Sequence, residues 1–164
     1  MTNLDVTANA TLNGQTKEFT FDACSDDKDT ILESLRELFA VSSMLEDEPE
    51  LEDFTIELTD TGIIHDNYKT TLDEVFEYGE ALAKIDDIDM LNAGIDCDID
   101  LDNIEEAYNG QFKSNEDFAQ ETAESLGEIP KGNNWPHYCI DWEWAAKELM
   151  SDYSESNGYY FRNL

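Results

Sequence analysis

The residues of this chain whose spacing best suits chemistry are carboxylates. In Ile95-Asp96-Cys97-Asp98-Ile99-Asp100-Leu101-Asp102, apolar residues alternate with aspartates without exception. A DxDxD run can offer oxygen ligands to calcium, but an EF-hand loop also needs glycine at its sixth position and a bidentate glutamate at its twelfth. Counted from Asp96, those positions hold Leu101 and Ala107; counted from Asp98, they hold Asn103 and Asn109. Both registers fail, so no metal site is expected. Glycoside hydrolysis uses two carboxylates at a set separation, yet among 40 acidic residues the presence of pairs carries no information. His65 and His137 are the only histidines, too few to supply a His-based zinc site or a relay. Cys24, Cys97 and Cys139 are far apart with no CxxC pair, the pattern of buried free thiols in a reducing compartment. With no Gly-rich phosphate loop and no GxSxG, the expectation is a protein that is not an enzyme and uses no cofactor.

The alternating aspartates need an element to hold them. Period-two alternation predicts a half-buried strand or extended segment over 95–102, with same-face carboxylates about 6.7 Å apart. Upstream, alternation over 4–12 and 17–23 around Asn13-Gly14 predicts a β-hairpin. Ser25, Asp26 and Asp27 offer N-caps for a helix through about Ala40, built on Ile31, Leu32, Leu35, Leu38 and Phe39. An acidic loop over 46–53 leads to a third strand at 54–58. Thr71-Leu72-Asp73-Glu74 is a capping box opening a helix to about Lys84, with Leu72, Val75, Phe76, Gly79, Leu82 and Ala83 inward and Asp73, Glu74, Glu77 and Glu80 outward. A short helix through Met90 and Leu91 should stop at Gly94. Asp102 to Glu105 caps another short helix ending near Tyr108, and Asn109-Gly110 reads as a turn. Ser114 caps a helix with Phe118, Ala119, Thr122, Ala123 and Leu126 inward. Asp141 caps one carrying Trp142, Ala145, Ala146, Leu149 and Met150, and Gly158 to Phe161 closes the chain as a strand. The fold class is α+β, an elongated chain of two to three small α/β units with an acidic surface: a ββαβ-like unit over 1–68, a central acidic helical and extended unit over 69–102, and a C-terminal α/β unit over 103–164.

Charge then bounds function. Nine Lys and Arg against 40 Asp and Glu give a net charge of −31, which repels nucleic acid. A content of 40% hydrophobic and 11% aromatic residues nevertheless argues for a folded chain rather than a disordered acidic one. Such charge costs self-repulsion, so either it serves solubility alone, as in halophiles, or it is used. No stretch approaches 18 apolar residues and the first residues lack a basic region, so neither a membrane partner nor secretion is expected and the location read is cytoplasmic. Duplex DNA presents a charge about every 3.4 Å of axis per strand. Strand carboxylates near twice that spacing, and helical pairs such as Asp73/Glu77 and Glu77/Glu80 about 5–6 Å apart, fall in its range. The candidate phosphate-like stripe is Asp73, Glu74, Glu77, Glu80, Asp86, Asp87, Asp89, Asp96, Asp98, Asp100, Asp102, Glu105 and Glu106. Trp142 and Trp144 fall on different faces of one helix, so one can pack inward while the other forms a partner surface.

In the C-terminal third, Ala107-Tyr108-Asn109-Gly110-Gln111-Phe112, Ser114 to Glu121, Leu126-Gly127, Pro130, Tyr138-Cys139-Ile140-Asp141-Trp142, Ala145-Ala146-Lys147-Glu148-Leu149 and Phe161-Arg162-Asn163 resemble the ArdA antirestriction family in order and spacing. The resemblance runs over about 107–164 and loosens over 54–106; at the start, Ala10 to Gln15 stands where that family has a Gly/Trp-containing opening. It implies an elongated, homodimeric, acidic DNA mimic of three small α/β units that occupies the DNA groove of a host type I methyltransferase or restriction complex. Rival readings are a mimic aimed at a CRISPR effector or a nucleoid protein, and, from another class, an acidic chaperone or scaffold for basic proteins.

Overall fold

The structure, a computed structural model, describes residues 2–40, 49–129, 131 and 135–164. The opening hairpin forms as its sequence predicts. Strands β1 (Asp5–Leu12) and β2 (Gln15–Asp22) pair antiparallel from Asp5↔Asp22 to Leu12↔Gln15. Asn13 and Gly14 both take positive φ (53° and 80°), as a tight primed turn requires. Val6, Ala8 and Ala10 alternate inward from β1 and are fully buried. The third strand, β3 (Thr55–Asp60), adds to the other side of β1, giving the order β2-β1-β3. Of the acidic loop, Glu46, Asp47 and Glu48 lie outside the described residues; Leu51–Asp53 forms a 3-10 turn in which Asp53 Oδ2 accepts the Glu50 N–H at 2.9 Å.

Helix α1 (Lys28–Leu38) starts where Asp27 accepts the Thr30 N–H, and it buries Ile31, Leu32 and Leu35. It ends at Leu38, ahead of the expected Ala40, which takes a left-handed φ of 53°. Helix α2 (Leu72–Ile85) has the reciprocal Thr71/Glu74 box. Its buried stripe is Val75, Tyr78, Gly79, Ala81 and Leu82; Ala83, expected inward, is exposed because the i, i+3, i+4, i+7 set is centred on Tyr78 and Gly79 instead. At the end of β2 stands Asp22, which accepts from the Leu4 and Cys24 N–H groups (2.9 and 3.0 Å) and from Ser25 Oγ (2.9 Å). Burial works against its ionised form, but those three donors hold its carboxyl below the usual range.

Contacts divide the chain into compact units at 1–88 and 89–164, so α2, expected in a central unit over 69–102, is counted with the first. Helix α3 (Ile88–Asp96) does not stop at Gly94. That glycine is buried within the helix, where an added Cβ would stand 2.8 Å from Ile104 side-chain carbons. Nor is 95–102 a strand. Ile99 N–H bonds Gly94 O (3.1 Å), Asp98 N–H bonds Ile95 O (2.9 Å), and Asp98 is left-handed (φ 58°): a Schellman cap with aspartate at the place glycine usually takes. A 3-10 turn at Leu101–Asn103 leads into α4 (Ile104–Ala107).

Strand β4 (Tyr108–Gln111) contains the Asn109-Gly110 pair expected as a turn; Gly110 (φ 118°) lies at the register shift where β4 meets β6 (Tyr159–Arg162). Helix α5 (Asn115–Ser125) is capped by Ser114 and buries Phe118 and Ala119, while Leu126, expected inward, is 71% exposed just past its last turn. Helix α6 (Trp142–Leu149) is capped by Asp141, which accepts the Trp144 N–H at 3.0 Å. Strand β5 (Tyr153–Ser156), absent from the sequence reading, pairs with β6 across Asn157-Gly158, giving the order β4-β6-β5. Phe118 lies 4.5 Å from the Tyr160 ring and 4.9 Å from that of Tyr153, and the Tyr160 hydroxyl donates to Asn115 Oδ1 at 2.7 Å. Among the described residues no helix is long and apolar enough to cross a membrane.

Candidate functional site

Both units carry the acidic excess. Residues 1–88 hold 23 acids and 5 bases, and residues 89–164 hold 17 acids and 4 bases, so the imbalance does not belong to one segment. The candidate stripe divides between them accordingly.

In the first unit α2 and its end carry Asp73, Glu74, Glu77, Glu80, Asp86 and Asp87. Glu77 and Glu80 are exposed. Asp73 forms an ion pair with Lys28. Glu74 folds back over the helix start: its Oε2 accepts the Thr70 hydroxyl (2.6 Å) and the Thr70 and Thr71 N–H groups (3.1 and 3.0 Å), and the Thr70 hydroxyl above all keeps its carboxyl below the usual range. Asp86 is left-handed (φ 57°) and accepts from both the hydroxyl and the N–H of Thr2, which lower its pKa in the same way. Glu74 and Asp86 therefore carry charge and hold backbone together, while Asp73 shares its charge with Lys28.

In the second unit Asp89 lies in the first turn of α3 and Asp96 ends it, while Asp98, Asp100 and Asp102 follow through the cap and the 3-10 turn, and Glu105 and Glu106 lie on α4. All seven are exposed. The alternation of 95–102 survives as burial: Ile95, Cys97, Ile99 and Leu101 are half-buried and the aspartates between them exposed. What does not survive is the strand ladder with its regular same-face spacing, because the chain completes a helix and turns twice over these eight residues. Asp96 also accepts from Ser156 Oγ at 2.9 Å.

Trp144 is 63% exposed on α6, whereas Trp142 is half-buried with its ring 5.1 Å from that of His137. His137, one of two histidines too few for a zinc site or a relay, is nonetheless placed in a specific environment. It is buried, its Nε2 lies 3.3 Å from Glu124 Oε1, and Gln120 Nε2 lies 3.5 Å from the same oxygen. No sequence signal links positions 124 and 137, which come from α5 and a 3-10 turn before α6. The thiols, expected to be buried, differ: Cys24 and Cys97 are half-buried and Cys139 is exposed. Burial, then the negative charges of Asp22 and Asp96 respectively, pushes the Cys24 and Cys97 thiols up, which disfavours the thiolate a nucleophile needs. Among the described residues no group of three or more His, Cys, Asp or Glu is arranged to hold a metal ion.

No protein-family model, curated protein or solved structure matches this chain.

Proposed function

We propose that this protein is a DNA-mimic antirestriction protein that competitively blocks the DNA-binding groove of type I restriction-modification enzymes. The observation that supports the reading is the exposure of an uncompensated carboxylate excess on folded elements in both units, Glu77 and Glu80 on one and Asp96, Asp98, Asp100 and Asp102 on the other. A groove lined with Lys and Arg to neutralise phosphates, which duplex DNA presents about every 1.7 Å of axis over both strands, meets a field of the same sign. Opposed charge steers encounter and raises the association rate. The resemblance over 107–164 supplies the target class. On this reading the protein acts in the cytoplasm of a bacterial host, as a homodimer, without turnover, cofactor or nucleic acid of its own.

Competition tests it. Purified protein is titrated against a type I methyltransferase bound to a labelled duplex, at low and at high salt. Displacement of the duplex, reversed by added DNA and weakened steeply by salt, is the expected result. Failure to displace DNA at any concentration, or salt-independent binding outside the groove, would overturn the reading.

A further inference from the structure

The first unit also carries a cleft of about 690 Å³, lined by the N-terminal turns of α1 and α2, the 3-10 turn at 51–53 and the start of β3. Leu51, Ile56 and Leu72 line it and are only partly buried, each keeping apolar surface that a ligand could cover. Exposed carboxylates of Asp29, Glu52 and Asp73 surround them. One lining cation, Lys28, is paired with Asp73; Asp29 and Glu52 make no ion pair among the described residues.

A phosphate surrogate has no use for an apolar floor, so this cleft calls for an occupant of its own. Charge decides what kind. Nucleic acid and anionic lipid are repelled by the rim, and a second copy of this chain, with nine Lys and Arg against 40 acids, offers few cations to meet it, so a homodimer contact belongs elsewhere on the surface. We infer that the cleft docks a basic, amphipathic segment of a protein partner. Its apolar side chain rests on Leu51, Ile56 and Leu72, its flanking Arg or Lys side chains meet Asp29 and Glu52, and a guanidinium competes with Lys28 for Asp73, where its planar fork can bind a carboxylate in bidentate fashion. The contact does not depend on DNA mimicry, and its apolar part resists salt where the carboxylate field does not.

The test uses the full-length protein, labelled with ¹⁵N, and two capped peptides as probes: one alternating Arg with Leu, the other alternating Arg with Gly at the same length and charge. The Arg-Leu peptide is expected to shift the amides of Leu51, Ile56 and Leu72, and to keep binding when salt is raised to about 0.5 M, where exposed charges are screened. Leu51→Ser should weaken it about ten-fold, the loss that removing one buried apolar side chain brings, and leave the Arg-Gly peptide unchanged. Lys28→Ala, at an exposed position, should tighten both by freeing Asp73. Equal binding of the two peptides with shifts scattered over both units would overturn the inference. So would cleft shifts that appear on concentrating the peptide-free protein, which would assign the cleft to a second copy. Since the peptides are titrated directly, failure of the methyltransferase competition would leave this result standing.

Discussion

Gly79 lies mid-helix in α2, where alanine ordinarily stabilises by about 1 kcal/mol over glycine. Here the opposite is expected. A Cβ at Gly79 would stand 2.5 Å from the Ala23 carbonyl carbon, nearer still to its oxygen, and 3.0 Å from Ala23 Cβ. Ordinary contact between such atoms is nearer 3.5 Å, so helix and chain must part by about 1 Å. Ala23 cannot give easily: its N–H is bonded to Leu4 O at 2.9 Å, and the residues on either side are tied together through Asp22. Overpacking against fixed backbone falls at the upper end of about 1–3 kcal/mol, leaving a net loss of about 2 kcal/mol for Gly79→Ala after the propensity gain. For a unit of this size that lowers the melting temperature by about 10 °C. Gly94→Ala should lose less, about 1–2 kcal/mol, because there the nearest atoms are side-chain carbons of Ile104 at 2.8 Å rather than backbone, although that side chain is β-branched and fully buried and can shift only slightly. Urea unfolding followed by circular dichroism reads both. A Gly79→Ala protein as stable as the parent, or a Gly94→Ala protein that loses more, would refute the reasoning.

Converting Asp96, Asp98, Asp100 and Asp102 to Asn should leave the fold intact, Asn being well suited to the left-handed position at 98, and should weaken target binding more at low salt than at high; unchanged competition with DNA would remove these residues from the contact. Stability should follow pH in two opposed ways. Glu74, Asp27 and Asp86 are held below their ordinary values mainly by the hydroxyls of Thr70, Thr30 and Thr2, so their contribution is full above an unfolded value of about 4 and is lost as pH falls through the folded one. Protonating the remaining carboxylates relieves repulsion meanwhile, so the urea midpoint should rise from pH 7 to about 5 and fall below about 4; a rise continuing to pH 3 would mean the capping carboxylates contribute nothing. With a thiol-specific chromogenic disulfide at neutral pH, exposed Cys139 should react well ahead of Cys24 and Cys97, whose thiols burial and adjacent aspartates push up; three equal rates would contradict that.

Where the sequence was legible, local signals agreed with one another. The capping residues Asp27, Thr71, Ser114 and Asp141 each mark a helix that also has apolar periodicity. Where only one signal spoke, it misled. Asn-Gly makes the turn at 13–14 and again at 157–158, yet at 109–110 the same dipeptide lies inside β4, because the strand it joins is not its neighbour but β6, some fifty residues on. Alternation over 95–102 reports which side chains face water, and a helix end followed by two turns satisfies that as well as a strand does. Tyr153-Ser154-Glu155-Ser156 has too little apolar content to announce β5, which exists because Tyr159 to Arg162 need a partner. Most candidate acids were legible as exposed residues, Glu74 and Asp87 being half-buried, and the capping box announced the backbone duty of Glu74, but those of Asp22 and Asp86 depend on Leu4 and Thr2, donors that only folding brings to them.

Both sheets are small, and each ends in strands with a single ladder: β2 and β3 around β1, and β4 and β5 around β6. An outer strand offers its backbone to any other extended chain, and proteins commonly guard such edges with charge. Here Glu18 and Asp22 lie on β2, and Glu57 and Asp60 on β3. β1 to β3 lie within the first 60 residues, so the segments that carry these edges leave the ribosome before the second half of the chain does, while identical chains grow side by side. Mutual repulsion between nascent copies then keeps their edges from joining, a protection that lapses near the pI of about 4.1, where edge-to-edge aggregation should set in.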